Sequence, residues 1–366
     1  MKTYRLCELG ELKNGLNFEK RNIINPCKII GVGDFANNVY PNYEKLATIE
    51  RKLVSNDFFL KEDDIVFVRS NGNKTLVGRT MLIKDIQEEI TYSGFCIRFR
   101  VNCKDVYPEY LFYALRSPYC RKQYSYSQQT NITNLSQGIL GNVIVKLPSL
   151  SEQKRIARIL SNIDKKIMNN LKINDNLQAQ MSLIYEDMIA KANSNHATGK
   201  FVAAKELTEV VTGKEDANFS AINGIYKFFT CSNTPLQCDK FAFDSSSILI
   251  AGNGDFNVKH YSGKFNAYQR TYVLTPSNKY YAILYFACLY QVNSFKTNSS
   301  GSIVKFITKG DVENIQVFIP DDEALLQKLN HLLQFQEQND CQNEHLTQLR
   351  DFLLPILMNG QATIDD

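Results

Sequence analysis

The sequence predicts an α+β fold: two similar mixed α/β domains separated by two long helices that form an antiparallel coiled coil, with pseudo-two-fold character. The first observation is an internal repeat, in which residues 111–114 match residues 284–287 at an offset of 173, and Pro148 matches Pro320 at an offset of 172. The second is a long helical pattern after each of these prolines. Two copies of one unit in a single chain predict two similar working surfaces that read different targets.

The two globular segments, residues 1–149 and 196–320, show the same order of elements. Short β-branched or aromatic runs bounded by Gly, Asn or Asp predict strands, and a longer apolar run then predicts a buried helix. In the first segment these runs are KIIGVGDF, DDIVFVRS, FCIRFRV and the helix YLFYALRS; in the second they are YKFFT, SSILIAGNG, RTYVLTP and the helix YYAILYFACLY. A polar stretch follows each helix, at residues 125–134 and 297–302, and it is either a surface loop or a binding loop.

The first helical spacer spans residues 150–195. Ser151, just after Pro148, is the predicted N-cap. Apolar residues then recur at heptad spacing, and extending the heptad across the gap between two apolar blocks places Asn170 and Asn174 in core positions. The apolar positions are Ile156, Leu160, Ile163, Ile167, Leu177, Met181, Ile184 and Met188.

The second helical spacer spans residues 321–366 and has the same design. Its apolar residues are Leu325, Leu329, Leu332, Leu346, Leu353 and Leu357, with Gln336, Asn339, Asn343 and Arg350 in the seam. Antiparallel pairing about the two helix centres predicts that Asn170 faces Asn343 and Asn174 faces Asn339. The alternative is that each apolar seam packs on its own globular domain.

Composition and charge limit the classes of protein. The 366 residues are 44% hydrophobic and 22% charged, which is typical of globular proteins, and no run is long and apolar enough for a transmembrane helix. Glu8 and Glu11 lie where a signal peptide would be apolar, so we expect a cytoplasmic protein. Residues 1–150 carry a net charge of +6 and residues 196–320 of +3, whereas residues 321–366 carry −7. Basic globular segments fit a partner that carries phosphate groups.

Motifs for catalysis and cofactor binding are not found in the sequence. There is no G-x-x-x-x-G-K-[ST] phosphate loop and no Asn/Asp-Pro-Pro-aromatic motif of amino-methyltransferases, and the short GVGDF and GNGDF fragments are better explained as turns. The nine cysteines form no C-x-x-C pair, so we expect buried, reduced thiols rather than a zinc site. We therefore expect no catalytic residue, no metal and no cofactor.

The candidate DNA-binding residues cluster after each SNGN or GNG turn and in the polar stretches. Lys and Arg neutralise phosphates, and Asn, Gln and Arg read base edges. The alternative for any single residue is an ordinary surface charge. The candidates are Arg69, Asn71, Asn73, Lys74, Arg79, Gln128, Gln129 and Asn131 in the first segment, and Asn253, Asn257, Lys259, His260, Lys264, Arg270 and Ser300 in the second.

The whole chain resembles the specificity (S) subunit of type I restriction–modification systems. LPSLSEQKRIARILSNID, with Glu152, Gln153, Ile156 and Leu160, is similar to the start of that family's first helical region, and residues 177–188 are similar to its end. The stretches at residues 63–83 and 252–274 resemble its target-recognition domains. The second repeat departs from the pattern because IPDDEALLQKLNHLL lacks the Glu-Gln pair.

The resemblance implies a non-catalytic DNA reader. Each target-recognition domain would bind one half of a split, asymmetric DNA sequence, and the two helices would set the distance between the halves. Methyltransferase (M) subunits would dock on the helices and bring S-adenosylmethionine, and restriction (R) subunits would add ATP-driven translocation and cleavage. Two other readings remain: a diverged methyltransferase or nuclease with its own activity, and a coiled-coil scaffold that does not bind DNA.

Overall fold

Two compact units make up the chain, and each contains one globular domain and part of both long helices. The computed structural model describes residues 1–18, 22–35, 38–73, 76–125, 134–194, 196–254, 256–297 and 306–361. Unit 1 comprises Met1–Met168 and Glu344–Asp366, and unit 2 comprises Asn169–Asn343.

Unit 1 is a mixed α/β domain with two main sheets. Its strands are β1 (Lys2–Arg5), β2 (Gly10–Asn14), β3 (Pro26–Ile30), β4 (Ala47–Glu50), β5 (Ile65–Val68), β6 (Thr80–Leu82), β7 (Ile90–Tyr92), β8 (Cys96–Val101) and β9 (Ile144–Leu147). Its helices are α1 (Leu6–Leu9), α2 (Pro108–Arg116), α3 (Pro118–Ser125), α4 (Gln137–Gly141) and the first part of α5 (Leu150–Asn193), with 3-10 turns at Val32–Phe35, Tyr43–Lys45, Arg51–Leu53 and Asn56–Phe58. One sheet has the antiparallel order β2-β8-β5-β6, the other has the order β4-β3-β7 with β3 parallel to β7, and β1 pairs with β9.

Unit 2 has the same kinds of element. Its strands are β10 (Gly199–Ala203), β11 (Val210–Thr212), β12 (Tyr226–Phe229), β13 (Leu236–Cys238), β14 (Phe243–Ala251), β15 (Val258–Ala267), β16 (Thr271–Leu274) and β17 (Gln316–Pro320). Its helices are the second part of α5, α6 (Ala204–Leu207), α7 (Tyr281–Thr297), α8 (Lys309–Glu313) and the first part of α9 (Glu323–Met358), with 3-10 turns at Ala217–Phe219 and Asn278–Tyr280. One sheet has the order β11-β16-β14-β15-β12-β13, and β10 pairs with β17.

The predicted internal repeat is confirmed as a repeat of strand topology. The order β2-β8-β5-β6 in unit 1 corresponds to β11-β16-β14-β15 in unit 2, and the parallel pair β3–β7 corresponds to the parallel pair β12–β15. The ten-residue strand β15 therefore takes the place of both β6 and β7. Unit 2 has one continuous sheet where unit 1 has two, because the chain of unit 1 leaves the sheet between β6 and β7.

A buried helix lies at the centre of each core, as predicted. Tyr110, Leu111 and Phe112 of α2 are fully buried in unit 1, as are Leu284 and Phe286 of α7 in unit 2. The α2 helix begins with Pro108, which is well suited to the first helical position because its nitrogen has no proton to leave unpaired.

Both long helices contribute apolar residues to the core of each unit. Ile156 and Leu160 of α5 lie in the core of unit 1 with Leu354 and Leu357 of α9. In unit 2 the corresponding residues are Leu177 and Met181 of α5 and Leu329 and Leu333 of α9. Each helix therefore packs against the domains of both units, which differs from the alternative that each apolar seam packs on its own globular domain.

The start of α5 is fixed by two side chains. Ser149 Oγ accepts a hydrogen bond from the Glu152 amide at 3.3 Å, so Ser149 caps the helix and the predicted N-cap at Ser151 is wrong by two residues. Buried Gln153 accepts from the Tyr107 amide at 2.8 Å and donates to the carbonyl oxygens of Asp105 and Pro148 at 2.9 and 3.1 Å. The glutamine thus ties the start of α5 to the start of α2.

In unit 2 an asparagine that lies one helical turn further along its long helix makes the equivalent connection to the start of the buried helix. Asn330 of α9 accepts from the Ala282 amide at the start of α7 at 2.9 Å, and it donates to the carbonyl oxygen of Lys279 at 2.9 Å. The second repeat therefore lacks the Glu-Gln pair but keeps a buried side-chain amide that satisfies the start of the central helix.

Candidate nucleic-acid interface

Corresponding loops in the two units share a hydrogen-bonded backbone frame. In unit 1 the Arg69 amide donates to the Phe95 carbonyl oxygen at 2.8 Å, and in unit 2 the Gly252 amide donates to that of Arg270 at 2.9 Å. The loop after β5 thus corresponds to the loop after β14, and the turn before β8 corresponds to the turn before β16.

The residues that follow the polar stretches join the same frame. The Leu135 amide donates to the Arg69 carbonyl oxygen and the Ile307 amide to that of Gly252, both at 2.8 Å. Bridges between Ser70 and Asn134, and between Asn253 and Phe306, complete it. In each unit three chain segments therefore meet at one place, which we call the loop cluster: residues 69–73, 94–95 and 134–135 in unit 1, and residues 252–254, 269–270 and 306–307 in unit 2.

Candidate residues of unit 1 lie in or beside the loop cluster. Asn71 Oδ1 accepts from the Asn73 amide at 2.8 Å and closes a tight turn, and Arg69 Nη1 donates to the Gly94 carbonyl oxygen at 3.3 Å. Arg79 follows Gly78 and accepts a backbone bond from the Val68 amide at 2.9 Å. These side chains are partly or fully exposed, so each can take part in an electrostatic or hydrogen-bonding surface.

Gly78 shows how this loop is held against α3. Its φ of +77° lies in the left-handed region that favours glycine, and an added Cβ would lie 2.7 Å from the Tyr124 ring and 2.8 Å from the Arg121 guanidinium. Arg121 donates to the Val77 carbonyl oxygen at 3.5 Å and lies over the Tyr124 ring. The backbone on the far side of the loop is therefore packed closely on a helix.

Two candidate residues of unit 2 make internal contacts. Asn257 Nδ2 donates to the Cys231 carbonyl oxygen at 2.8 Å, and Lys259 Nζ donates to the Thr230 carbonyl oxygen at 3.3 Å and to Asn257 Oδ1. Burial lowers the pKa of the Lys259 ammonium from 10.5 to about 8. This pair joins the chain after β12 to β15 and positions the neighbouring loops.

His260 lies on the helix-facing side of β15. Its Nδ1 is 2.9 Å from Glu337 Oε1 of α9, and its ring lies edge-on to Tyr285 with the centroids 4.7 Å apart. Tyr281 also donates to Glu337 Oε1, at 2.8 Å. The imidazole therefore takes part in a buried polar cluster at a helix rather than in the loop cluster.

The remaining candidates of unit 2 are more open. Lys264 is exposed, with its ammonium 4.8 Å from the centroid of the Phe241 ring. Arg270 is exposed in the turn before β16, and Asn253 bridges to Phe306. Lys74, Gln128, Gln129, Asn131 and Ser300 lie outside the described residues.

Sequence reasoning missed two exposed aromatic residues in the loop clusters. Phe95 is 60% exposed in unit 1, and Phe306 is 61% exposed in unit 2. Alignment of the two repeats through the turn before β8 and the turn before β16 would have placed Phe95 opposite Arg270 and drawn attention to it. Phe306 had no comparable signal, because it directly follows a stretch whose length and composition differ between the repeats.

The spacer asparagines contact one another inside unit 2. Asn170 Nδ2 donates to Asn343 Oδ1 at 2.9 Å and to Gln342 Oε1 at 2.7 Å. Asn339 Nδ2 donates to Asn174 Oδ1 at 2.9 Å, and Asn174 Nδ2 donates to Asp340 Oδ1 at 2.8 Å. Because residue numbers fall along α9 as they rise along α5, the two helices are antiparallel.

Among the described residues, no group of three or more His, Cys, Asp or Glu side chains is arranged to hold a metal ion. Within the same part of the chain, no helix has the length and hydropathy needed to cross a membrane.

Comparisons with known proteins agree on one family. The profile of the type I restriction modification DNA specificity domain matches residues 1–179 and 199–350. The EcoDI type I specificity subunit of Escherichia coli is 39% identical over 171 residues, covering 45% of this chain and 38% of the relative. A Methanocaldococcus jannaschii protein assigned as the MjaX specificity subunit is 22% identical over 343 residues, covering 82% of this chain and 79% of the relative.

A solved structure shows the same fold over nearly the full length. The crystal structure of a type I restriction–modification S subunit from M. genitalium superposes with a TM-score of 0.61 at 15% identity, covering 97% of this chain and 95% of that one. The alignment with the EcoDI subunit spans about two fifths of that protein's length. With two profile matches that together cover most of its residues, the chain belongs to the type I restriction modification DNA specificity domain family.

Proposed function

We propose that this chain is the DNA sequence-recognition subunit of a type I restriction–modification complex. It reads a bipartite, asymmetric site, with residues 1–149 as target-recognition domain 1 and residues 196–320 as target-recognition domain 2. The spacers at residues 150–195 and 321–366 set the separation of the half-sites and dock the methyltransferase (M) and restriction (R) subunits. The chain itself is not an enzyme and needs no cofactor, and its DNA partner implies a cytoplasmic location.

One observation carries this proposal: the same backbone frame presents different side chains in the two units. The turn before β8 carries Phe95 where the turn before β16 carries Arg270, and the bridge to the loop cluster is made by Asn134 in one unit and Phe306 in the other. Two domains that recognise unlike half-sites require the same backbone frame with different exposed side chains.

The proposed DNA contacts are the exposed polar residues of the loop clusters. Arg69, Asn71, Asn73 and the neighbouring Arg79 serve domain 1, and Asn253 and Arg270 serve domain 2. Lys264 lies outside the loop cluster, because it pairs with Asp244 at the other end of β14, and it remains a candidate from the sequence. Asn257 and Lys259 act as positioning residues because their polar atoms bond to the Thr230–Cys231 backbone. His260 is left out because it bonds to Glu337. Lys74, Gln128, Gln129, Asn131 and Ser300 remain candidates from the sequence.

Methylome mapping tests the proposal directly. The chain is co-expressed with its M subunit, and methylated bases are mapped across a genome. We expect a two-part motif, and exchange of residues 1–149 for those of another specificity subunit should alter only one part. A single contiguous palindrome would contradict the proposal. Methylation or cleavage by the purified chain alone would favour the enzyme reading, and a lack of salt-dependent DNA binding by the complex would favour the scaffold reading.

A further inference from the structure

We infer that Phe95 and Phe306 are specificity-determining residues that make apolar contacts with nucleobases, one in each half-site. This inference rests on the proposed DNA-reading function and goes beyond it by naming residues with no hydrogen-bonding group. The observation is that each loop cluster exposes one phenylalanine among polar neighbours, at two different positions of the same backbone frame.

Phe95 is held rigidly although its side chain is exposed. Its carbonyl oxygen accepts from the amides of Arg69 and Ser70 at 2.8 and 3.3 Å, and its amide donates to Ser93 Oγ at 3.3 Å. The preceding Gly94 is packed so closely that an added Cβ would lie 1.9 Å from Asn17 Oδ1. The turn therefore presents the ring from a fixed backbone, which lowers the entropy lost when the ring meets a ligand.

Phe306 is held by its neighbour in the chain. Buried Ile307 donates to the Gly252 carbonyl oxygen at 2.8 Å and accepts from the Tyr272 hydroxyl at 2.9 Å. Phe306 itself bridges to Asn253 in the loop after β14. The backbone of Phe306 is therefore paired with that of Asn253, whose side chain can read a base edge, and it is fixed at the next residue by the hydrogen bonds of Ile307.

Surrounding chemistry favours a base over a protein partner. Arg69 and Asn71 belong to the same loop cluster as Phe95, and Asn253 and Arg270 belong to that of Phe306. Among the described residues of each loop cluster, the phenylalanine is the one exposed apolar side chain. Protein-docking patches are instead contiguous and apolar. A phenyl ring cannot bind phosphate, but it packs on the thymine methyl group in the major groove or on the face of an opened base step.

The test compares affinity and salt dependence in the M–S complex. Fluorescence anisotropy with the mapped duplex is measured from about 50 to about 300 mM salt for wild type, Phe95→Ala and Phe306→Ala. We expect each variant to bind its site about ten-fold more weakly at every salt concentration, with an unchanged slope of log K against log salt, because no phosphate contact is lost. Arg270→Ala should instead reduce the slope by about one.

Matched variants separate a base contact from a folding defect. Phe201→Ala removes an equally large exposed ring that packs on Phe318 of the β10–β17 pair, and it should bind as wild type does. Phe95→Tyr keeps the ring and should restore most of the affinity. Methylome maps should show relaxed base preference only in the half read by domain 1 for Phe95→Ala, and only in the other half for Phe306→Ala.

Each outcome bears on one of the two claims. If the wild-type complex shows no site-specific binding, the proposed function fails. If wild type is specific and both alanine variants match it in affinity and motif, the inference fails while the function stands. A loss of slope, or relaxation of both halves by one variant, would also overturn the inference. Duplexes with uracil in place of thymine and duplexes with 2-aminopurine then distinguish contact with a methyl group from contact with an opened base step.

Discussion

Replacing Asn170 and Asn343 by leucine tests the polar layer between the two long helices. Asn170 is only 1% exposed, and its amide nitrogen bonds to Asn343 and Gln342 at 2.9 and 2.7 Å. Among the described residues, Asn170 Oδ1 and Asn343 Nδ2 find no partner. Each of these two asparagines therefore has one amide atom without a protein partner in the described part of the layer.

The magnitude follows from these contacts. Asn170→Leu alone removes two hydrogen bonds of about 1 kcal/mol each and leaves the Asn343 amide against an apolar side chain, at a further cost of about 1 kcal/mol or more. The buried leucine recovers about 1.5 kcal/mol or more, so we expect a net loss of about 1–2 kcal/mol. The double variant removes both amides and buries two leucines, so its unfolding free energy should equal or exceed that of wild type.

Two measurements decide the outcome. Urea unfolding of the full chain gives the double-mutant coupling energy, which we expect to be about 1–3 kcal/mol. Methylation of duplexes whose spacer is one base pair longer or shorter reports the register of the two helices. The double variant should methylate these duplexes, because a leucine pair does not disfavour a slipped alignment of the helices as the asparagine pair does. If the losses of unfolding free energy in the two single variants simply add in the double variant, the packing argument is refuted. A stable double variant with an unchanged spacer requirement would refute the role of the asparagines in helix register.

Three further predictions concern side chains that the structure buries wholly or in part. Arg350→Leu removes the guanidinium that lies 2.8 Å from the Asp164 carboxylate, which is only 2% exposed. Thermal unfolding should show that the free energy of unfolding falls by about 3–5 kcal/mol, and the additional substitution Asp164→Asn should recover most of it. Burial lowers the pKa of the Lys259 ammonium from 10.5 to about 8, so between these values the unfolded chain binds more protons at this residue and the contribution of Lys259 to stability should rise with pH. The side chain is partly exposed, so solvent screening keeps this rise below about 3 kcal/mol. The difference in unfolding free energy between wild type and Lys259→Met, from urea titrations across that window, should show the rise. Gln153→Ala should lower the free energy of unfolding by about 1–3 kcal/mol and speed hydrogen exchange at the Tyr107 amide. Unchanged exchange at that amide would count against a role of Gln153 at the start of α2.

Local patterns in the sequence predicted much of the fold. Alternating and heptad periodicities are set by neighbouring residues, so the strands around Ile65 and Ile248, the buried helices and the facing of Asn170 with Asn343 followed from spacing alone. The N-cap was predicted at Ser151 instead of Ser149 because both serines lie shortly after Pro148, and the hydrogen bond from the Glu152 amide to Ser149 distinguishes them.

Side-chain roles in the candidate site depended on distant residues. His260 and Lys259 are adjacent on one strand and point to opposite faces, so one meets Glu337 on α9 and the other meets Thr230. Neither partner lies near them in the sequence. The exposure of the Phe95 side chain was not predicted either, because an aromatic residue is buried more often than it is exposed to solvent.

Each globular segment is closed by a strand pair formed from its own two ends. Lys2 lies opposite Leu147 in the β1–β9 pair, and Gly199 lies opposite Pro320 in the β10–β17 pair. The chain therefore enters and leaves each segment at neighbouring points, and a long helix follows directly. A foreign segment that keeps these closing strands and the residues packed on the long helices would fit between the same two points. If the proposed function holds, exchange of one globular segment as a cassette would change one half of the DNA site in a single step and leave the other half unchanged.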